Sequence, residues 1–97
     1  MAKSISTARD NREAWIKLLR TTKAGQYRAG GFWNVDKTAF CAFGLFYQFC
    51  NDRNTTSMVT VSLGIKKNDA DTIVEMNDKL GKSFKEIADF AEKASYA

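Results

Sequence analysis

An α+β domain is expected from three features of this chain: about four helices around a central Phe-rich helix, with a small two- or three-stranded antiparallel sheet. Apolar residues recur at helical spacing near both ends. Residues 23–37 break that spacing and place aromatic and β-branched residues beside paired glycines. Thr38–Cys50, "TAFCAFGLFYQFC", is the most apolar stretch, with four Phe, one Tyr and two Cys.

The first helix is expected over about residues 7–22. Thr7 and Asp10 resemble a capping box, with Asp in the place of the usual Glu or Gln. Trp15, Leu18, Leu19 and Thr22 repeat at helical spacing. Arg9, Arg12, Lys17 and Arg20 fall on the other side, spread over about 140° of the helical wheel, with Glu13 among them. In "KAGQYRAGGFWNVDK", "QYR" and "FWNV" flank "AGG" and read as a short hairpin. Thr38 is the expected N-cap of the Phe-rich helix, and "NDRNTT" (51–56) ends it. On a wheel, Phe40, Phe43, Phe46, Tyr47 and Cys50 share one broad side, and Leu45 and Phe49 extend the apolar surface over most of the rest. Such a helix is buried rather than amphipathic. Gly44 costs it about 1 kcal/mol relative to Ala, which suits a point where another element approaches closely.

"SMVTVSLGI" (57–65) alternates Val59 and Val61 with Thr60 and Ser62 and reads as a strand. "NDADTIVEMNDKL" (68–80) reads as a short helix capped at Asn68 or Asp69, with Gly81 in the left-handed position past its end. In "SFKEIADFAEKA" (83–94), Ser83 and Glu86 form a capping box and Phe84, Ile87, Ala88 and Ala91 an apolar stripe. The last two helices then form a hairpin.

Ninety-seven residues make one domain, 1–97, with 44% hydrophobic and 27% charged residues, the balance of a globular protein. No apolar run approaches the roughly 20 residues of a transmembrane helix, and the N-terminus has no apolar signal region. Two cysteines are too few for a disulfide scaffold. A cytoplasmic location with free, buried thiols is expected, without membrane attachment. The net charge of +4 is polarised: residues 1–37 carry eight Lys/Arg against three Asp/Glu, and residues 38–97 seven against eight.

There is no histidine, which removes the commonest general base and metal ligand. Two cysteines nine residues apart do not supply a zinc site, and on a helix Cys41 and Cys50 point apart. "AGQYRAGG" has the spacing of neither a P-loop nor a dinucleotide fingerprint. The acid pairs Asp69/Asp71 and Glu86/Asp89 sit near helix starts, where capping and the helix dipole account for them. No enzyme, metal or cofactor is expected. A helix-turn-helix reading of "SFKEIADFAEKA" fails. Only "SYA" follows where a recognition helix must, and the helix's own exposed face is net negative.

What remains is a basic helix beside an aromatic, glycine-rich segment. Arg9, Arg12, Lys17, Arg20, Gln26, Tyr27, Arg28 and Trp33 are the candidate binding residues. Arg and aromatic faces stack on bases and pair with phosphates, and they also anchor protein interfaces. The alternative for Trp33 is a plug in the core.

The order of several segments resembles a family of small phage and prophage proteins without an established activity. The matching segments are Trp15–Arg20 ("W-x-x-L-L-R"), Gly25–Arg28, Phe40–Leu45, Leu63–Ile65, Met76–Asp78 and Ser83–Glu92. The chain departs from the family at Ala42, where a second cysteine is frequent, and at Ala91, where a larger aliphatic is. The first departure favours a packing role for Cys41. The resemblance implies a phage context and no functional residues. The leading expectation is a phage-encoded, non-enzymatic binding protein in the host cytoplasm. It would inhibit a host factor of antiviral defence or sequester a nucleotide signal. The alternatives are a nucleic-acid-binding regulator using the basic helix, and a small structural or assembly subunit that self-associates.

Overall fold

The computed structural model describes residues 8–50 and 59–96. Thr7, its expected capping box and the "NDRNTT" stop lie outside the described residues. Helix α1 (Ala8–Thr21) buries Arg12, Trp15, Ile16 and Leu19. These positions follow the i, i+3, i+4, i+7 spacing of one helix face. The buried face is thus rotated from the expected one, and it includes a charged residue.

Arg12 is only 2% exposed. Burial on this scale is costly for a guanidinium unless its N–H groups find acceptors. Four backbone carbonyls provide them. Nε donates to Leu63 O (3.1 Å), Nη2 to Gly64 O (2.7 Å), and Nη1 to Ala94 O (2.6 Å) and Ala91 O (3.3 Å). The Tyr96 ring covers the guanidinium, 3.8 Å from its carbon to the ring centroid.

Those carbonyls lie at, or one or two residues past, the C-terminal ends of two helices, α3 (Val59–Ser62) and α5 (Phe84–Lys93). The last carbonyls of a helix lack intrahelical partners and carry its negative dipole end, so a cation is favoured there. Asn11 Nδ2 extends the cap to Ser62 O (2.8 Å). Residues 59–62, expected in a strand, are therefore one turn of helix, with Leu63 N–H bonded to Val59 O. Four residues of alternating pattern do not distinguish the two periods; the caps supplied by α1 decide it. Ile65 then makes one antiparallel bridge with Tyr96.

The sheet also differs from expectation. β1 (Gly25–Gln26) pairs with β2 (Ala39–Phe40) in parallel, not antiparallel. The glycine-rich loop between them returns Trp33 to an antiparallel bridge with Phe40. The turn that reverses the chain therefore lies at 34–38, not at "AGG". Asn34 Oδ1 accepts from Thr38 N–H and Ala39 N–H, and Lys37 takes a left-handed φ of 55°. Thr38 is thus tied into a turn and does not cap a helix.

The cap is Cys41, whose Sγ accepts from Gly44 N–H (3.2 Å). Helix α2 (Ala42–Leu45) follows and runs into a π-helical turn, Phe46–Cys50. Phe40, Ala42, Phe43, Leu45 and Phe46 are core, with Phe43 stacked on Trp15 at 5.4 Å. Burial does not extend all round: Phe49 is 58% exposed.

Helix α4 (Lys67–Asp78) starts after Lys66, which makes no side-chain cap bond, rather than at Asn68 or Asp69. It ends as expected around Gly81 (φ 66°), with Lys82 N–H reaching back to Met76 O. In α5 the Ser83–Glu86 capping box is present, and Phe84, Ile87, Ala88 and Ala91 are buried. The architecture is mixed α+β and mostly helical, with α5 packed most extensively on α1.

Replacing Arg12 by Met should lower unfolding free energy by at least about 3 kcal/mol, because each buried carbonyl left without a donor costs roughly 1–3 kcal/mol. Arg12→Lys should recover only part of the loss, since one ammonium cannot span the fork. Urea denaturation of the three proteins measures both. Full stability in the Lys variant would mean that charge alone, not the fork, does the work.

Candidate functional site

The eight expected binding residues do not form one site. Arg12 is the buried cap just described. Arg20 Nη2 bonds Asp89 Oδ1 (2.7 Å) and Glu92 Oε1 (2.9 Å), and these hydrogen bonds raise its pKa. Arg9 and Lys17 remain exposed without a side-chain partner among the described residues. They border an open groove of about 550 Å³ between α1 and the end of α5, which also carries Glu13 and Glu92. Its charge is mixed rather than a continuous basic stripe.

Gln26 and Arg28 are engaged in hydrogen bonds within the fold. Gln26 Nε2 donates to Asn77 Oδ1 (2.8 Å) and Lys82 O (2.9 Å). Arg28 donates to Asn77 O (2.9 Å) and Gln26 Oε1 (3.0 Å). Asn77 is the hub of this network and is buried. Its Nδ2 donates to Tyr27 O (2.8 Å), and its Oδ1 also accepts from Ala42 N–H (3.2 Å). One amide therefore joins β1, α2 and α4. The sequence signal for it was slight: an Asn at the end of an otherwise ordinary helix stripe.

Tyr27 and Trp33 are half-buried. Trp33 belongs to an aromatic series that runs between the surface and the core. Ring centroids lie at 4.9 Å for Tyr47–Phe32, 6.0 Å for Phe32–Trp33, 6.2 Å for Trp33–Phe40 and 5.3 Å for Phe40–Phe49. Phe40 is core, whereas Phe32 and Phe49 are 49% and 58% exposed. Lys37 Nζ stands 4.8 Å over the Trp33 ring. Tyr47, Phe49 and Lys37 were not among the expected binding residues. An aromatic run does not reveal which ring emerges, and here the π-helical turn decides it. Such turns are frequent at functional sites.

Backbone contacts hold the series in place. Cys41 N–H donates to Phe32 O (2.9 Å), and a Cβ on Gly44 would overlap that same carbonyl. The close approach expected at Gly44 is thus the approach of the Phe32 loop. Cys41 and Cys50 are free thiols, both half-buried. Burial pushes both pKa values up; at Cys41 the Gly44 N–H opposes this in part.

No family model matches the chain, and neither curated proteins nor solved structures show a significant match to it. No helix among the described residues is long and apolar enough to cross a membrane.

Gly44→Ala improves helix propensity by about 1 kcal/mol, yet it should destabilise the protein by about 1–3 kcal/mol, because the new methyl meets backbone rather than a flexible side chain. Thermal or urea unfolding gives the sign, and a gain in stability would show that the loop is not seated on α2. Alkylation with iodoacetamide at pH 8 should be slower for both thiols in the folded protein than in urea. The raised pKa values leave less thiolate, and thiolate is the reactive form. Equal rates in the two states would contradict this.

Proposed function

We propose that this chain is a phage-encoded, non-enzymatic protein that binds a host protein in the cytoplasm and blocks it, with antiviral defence factors as the target class. The observation that carries the binding role is the pair of half-exposed rings, Phe32 and Phe49, within one packed aromatic series. Exposed apolar side chains mark an interaction surface where they are clustered rather than scattered, and aromatic anchors contribute most of the energy at interfaces. Lys37 supplies a cation at the edge of the same face. The phage context rests on the order of the Trp15–Arg20, Gly25–Arg28, Phe40–Leu45, Leu63–Ile65, Met76–Asp78 and Ser83–Glu92 segments.

The nucleic-acid reading loses most of its support. Of the cations on α1 expected to contact phosphate, Arg12 is buried and Arg20 is bonded to two carboxylates. Arg9 and Lys17 alone would make a weak electrostatic footprint. Sequestering a nucleotide is disfavoured on similar grounds, because Gln26 and Arg28 are engaged with Asn77.

Affinity capture from infected host cells tests the proposal, using wild-type protein and the Phe32→Ser/Phe49→Ser double variant. A host protein held by the wild type and reduced at least about tenfold in the variant is expected, a change of about 1.4 kcal/mol that is modest for two interface aromatics. Equal capture by both proteins counts against it. A wild-type protein that is dimeric in solution and a monomeric double variant would instead assign the face to self-assembly.

A further inference from the structure

A recess of about 270 Å³ opens beside the Phe32 ring, between the glycine-rich loop and α4. Ala42, Phe43, Ile73 and Val74 make it largely apolar. Val74 is 46% exposed, although it sits on a helix whose neighbouring Ile73 and Met76 are core. A cavity of about 150 Å³ accepts a benzene ring, so this recess has room for a branched aliphatic or aromatic side chain.

Asp78 stands at the recess and is the last residue of α4. A carboxylate there faces the negative end of its own helix dipole, where an anion is disfavoured. It accepts from the adjacent Asn77 Nδ2 (2.8 Å) and pairs with no cation among the described residues. The other polar groups of the wall have partners within the fold: Cys41 Sγ caps α2, and the Asn77 amide is fully engaged. The recess therefore offers an apolar floor and one unneutralised carboxylate.

Resting on the reading that the aromatic face binds a host protein, we infer that this recess is the anchor pocket of that interface. Its occupant is a segment of the host protein in which an apolar side chain, Leu to Phe in size, neighbours a Lys or Arg. The apolar side chain fills the space over Ala42 and Val74 against Phe32. The neighbouring cation pairs with Asp78. Because Phe32 lines the pocket and belongs to the aromatic series, the two adjoin, and one partner covers both.

The probes are the capped tetrapeptides acetyl-Gly-Phe-Lys-Gly-amide, its Gln and Glu counterparts at the Lys position, and free 2-phenylethylammonium. Binding is read from methyl NMR shifts of Ala42, Ile73 and Val74. The Lys peptide should move these methyls and bind about threefold more tightly than the Gln peptide, the effect of one partly exposed ion pair. The Glu peptide should bind least. Asp78→Asn should abolish the Lys–Gln difference, and Val74→Trp should block all three peptides. Absent shifts, or shifts without charge preference, overturn the inference. So does binding of the free amine as tight as that of the Lys peptide, which would make the site one for small amines.

Host capture separates this inference from the reading beneath it. Phe49 lies outside the recess, so Phe49→Ser tests the face alone. Capture lost in Phe49→Ser but kept in Asp78→Asn and Val74→Trp overturns the pocket and leaves the proposed function. Capture lost in all three supports both. Capture kept in all three overturns both.

Discussion

The guanidinium of Arg12 is the constraint on which the fold depends. It sits in the middle of α1 and donates to carbonyls at the ends of α3 and α5. Each of those ends would otherwise present unpaired carbonyls and a negative dipole to the interior. One planar fork answers both, because its N–H groups point in several fixed directions at once. The consequences extend along the chain. Gly64 adopts a left-handed φ of 60°, and a Cβ there would crowd Ala8 and Tyr96. That conformation turns the chain between α3 and α4 while its carbonyl accepts from Arg12. The C-terminal tail then folds over the guanidinium through Tyr96 and its bridge to Ile65.

Asn77 plays the complementary part on the opposite side of the core. It joins β1, α2 and α4, and the glycine-rich loop is thereby mounted on a fixed base. A domain of this size buries only about two-thirds of its unfolded surface, so its apolar core alone leaves a modest margin. Fully satisfied polar hubs add specificity, because alternatives that leave their groups unpaired are costly. The aromatic face benefits directly. The Phe32 backbone is held by its bond to Cys41 and the close approach at Gly44, which would reduce the ordering cost of the proposed binding.

Local signals in the sequence were sufficient where they were redundant. Helix α5 carries a capping box and a four-residue apolar stripe and lies where they place it; α4 stops before Gly81 as expected but starts ahead of its expected cap. Gly44 marked a close approach, though not the element that approaches. Arg12 shows a different failure. Its spacing to Trp15, Ile16 and Leu19 is that of one buried face, so periodicity alone would have placed it inside. Its charge argued for solvent, and charge was the weaker guide, since the compensating carbonyls lie about 50 to 80 residues away in the chain. The same distance explains the sheet. Nothing local to Gly25–Gln26 states which edge of Ala39–Phe40 it joins, or in which direction. The "VTVS" turn was too short for its period to decide between strand and helix. The emergence of Phe49 depends on a π-helical turn that has no recognised local code.

The charge polarity of the chain acquires a physical meaning from these contacts. The basic excess of residues 1–37 looked like a footprint for an external polyanion. Much of it is answered from within. Arg12 meets two helix dipoles, Arg20 meets Asp89 and Glu92, and Arg28 meets the C-terminal turn of α4. All three reach into the C-terminal half, which holds the acidic excess. Segregation of charge along the sequence therefore encodes attraction between α1 and α5, the most extensive helix pair in the fold. The exposed Arg20 pairs contribute little energy individually, but like charges in their place would oppose that packing, so their value is in register. With these three cations engaged, Phe32 and Phe49 are the exposed rings left for the proposed binding face. In the proposed interface, the Asp78 carboxylate and the Lys37 ammonium would orient a partner that apolar contact alone would leave free to rotate.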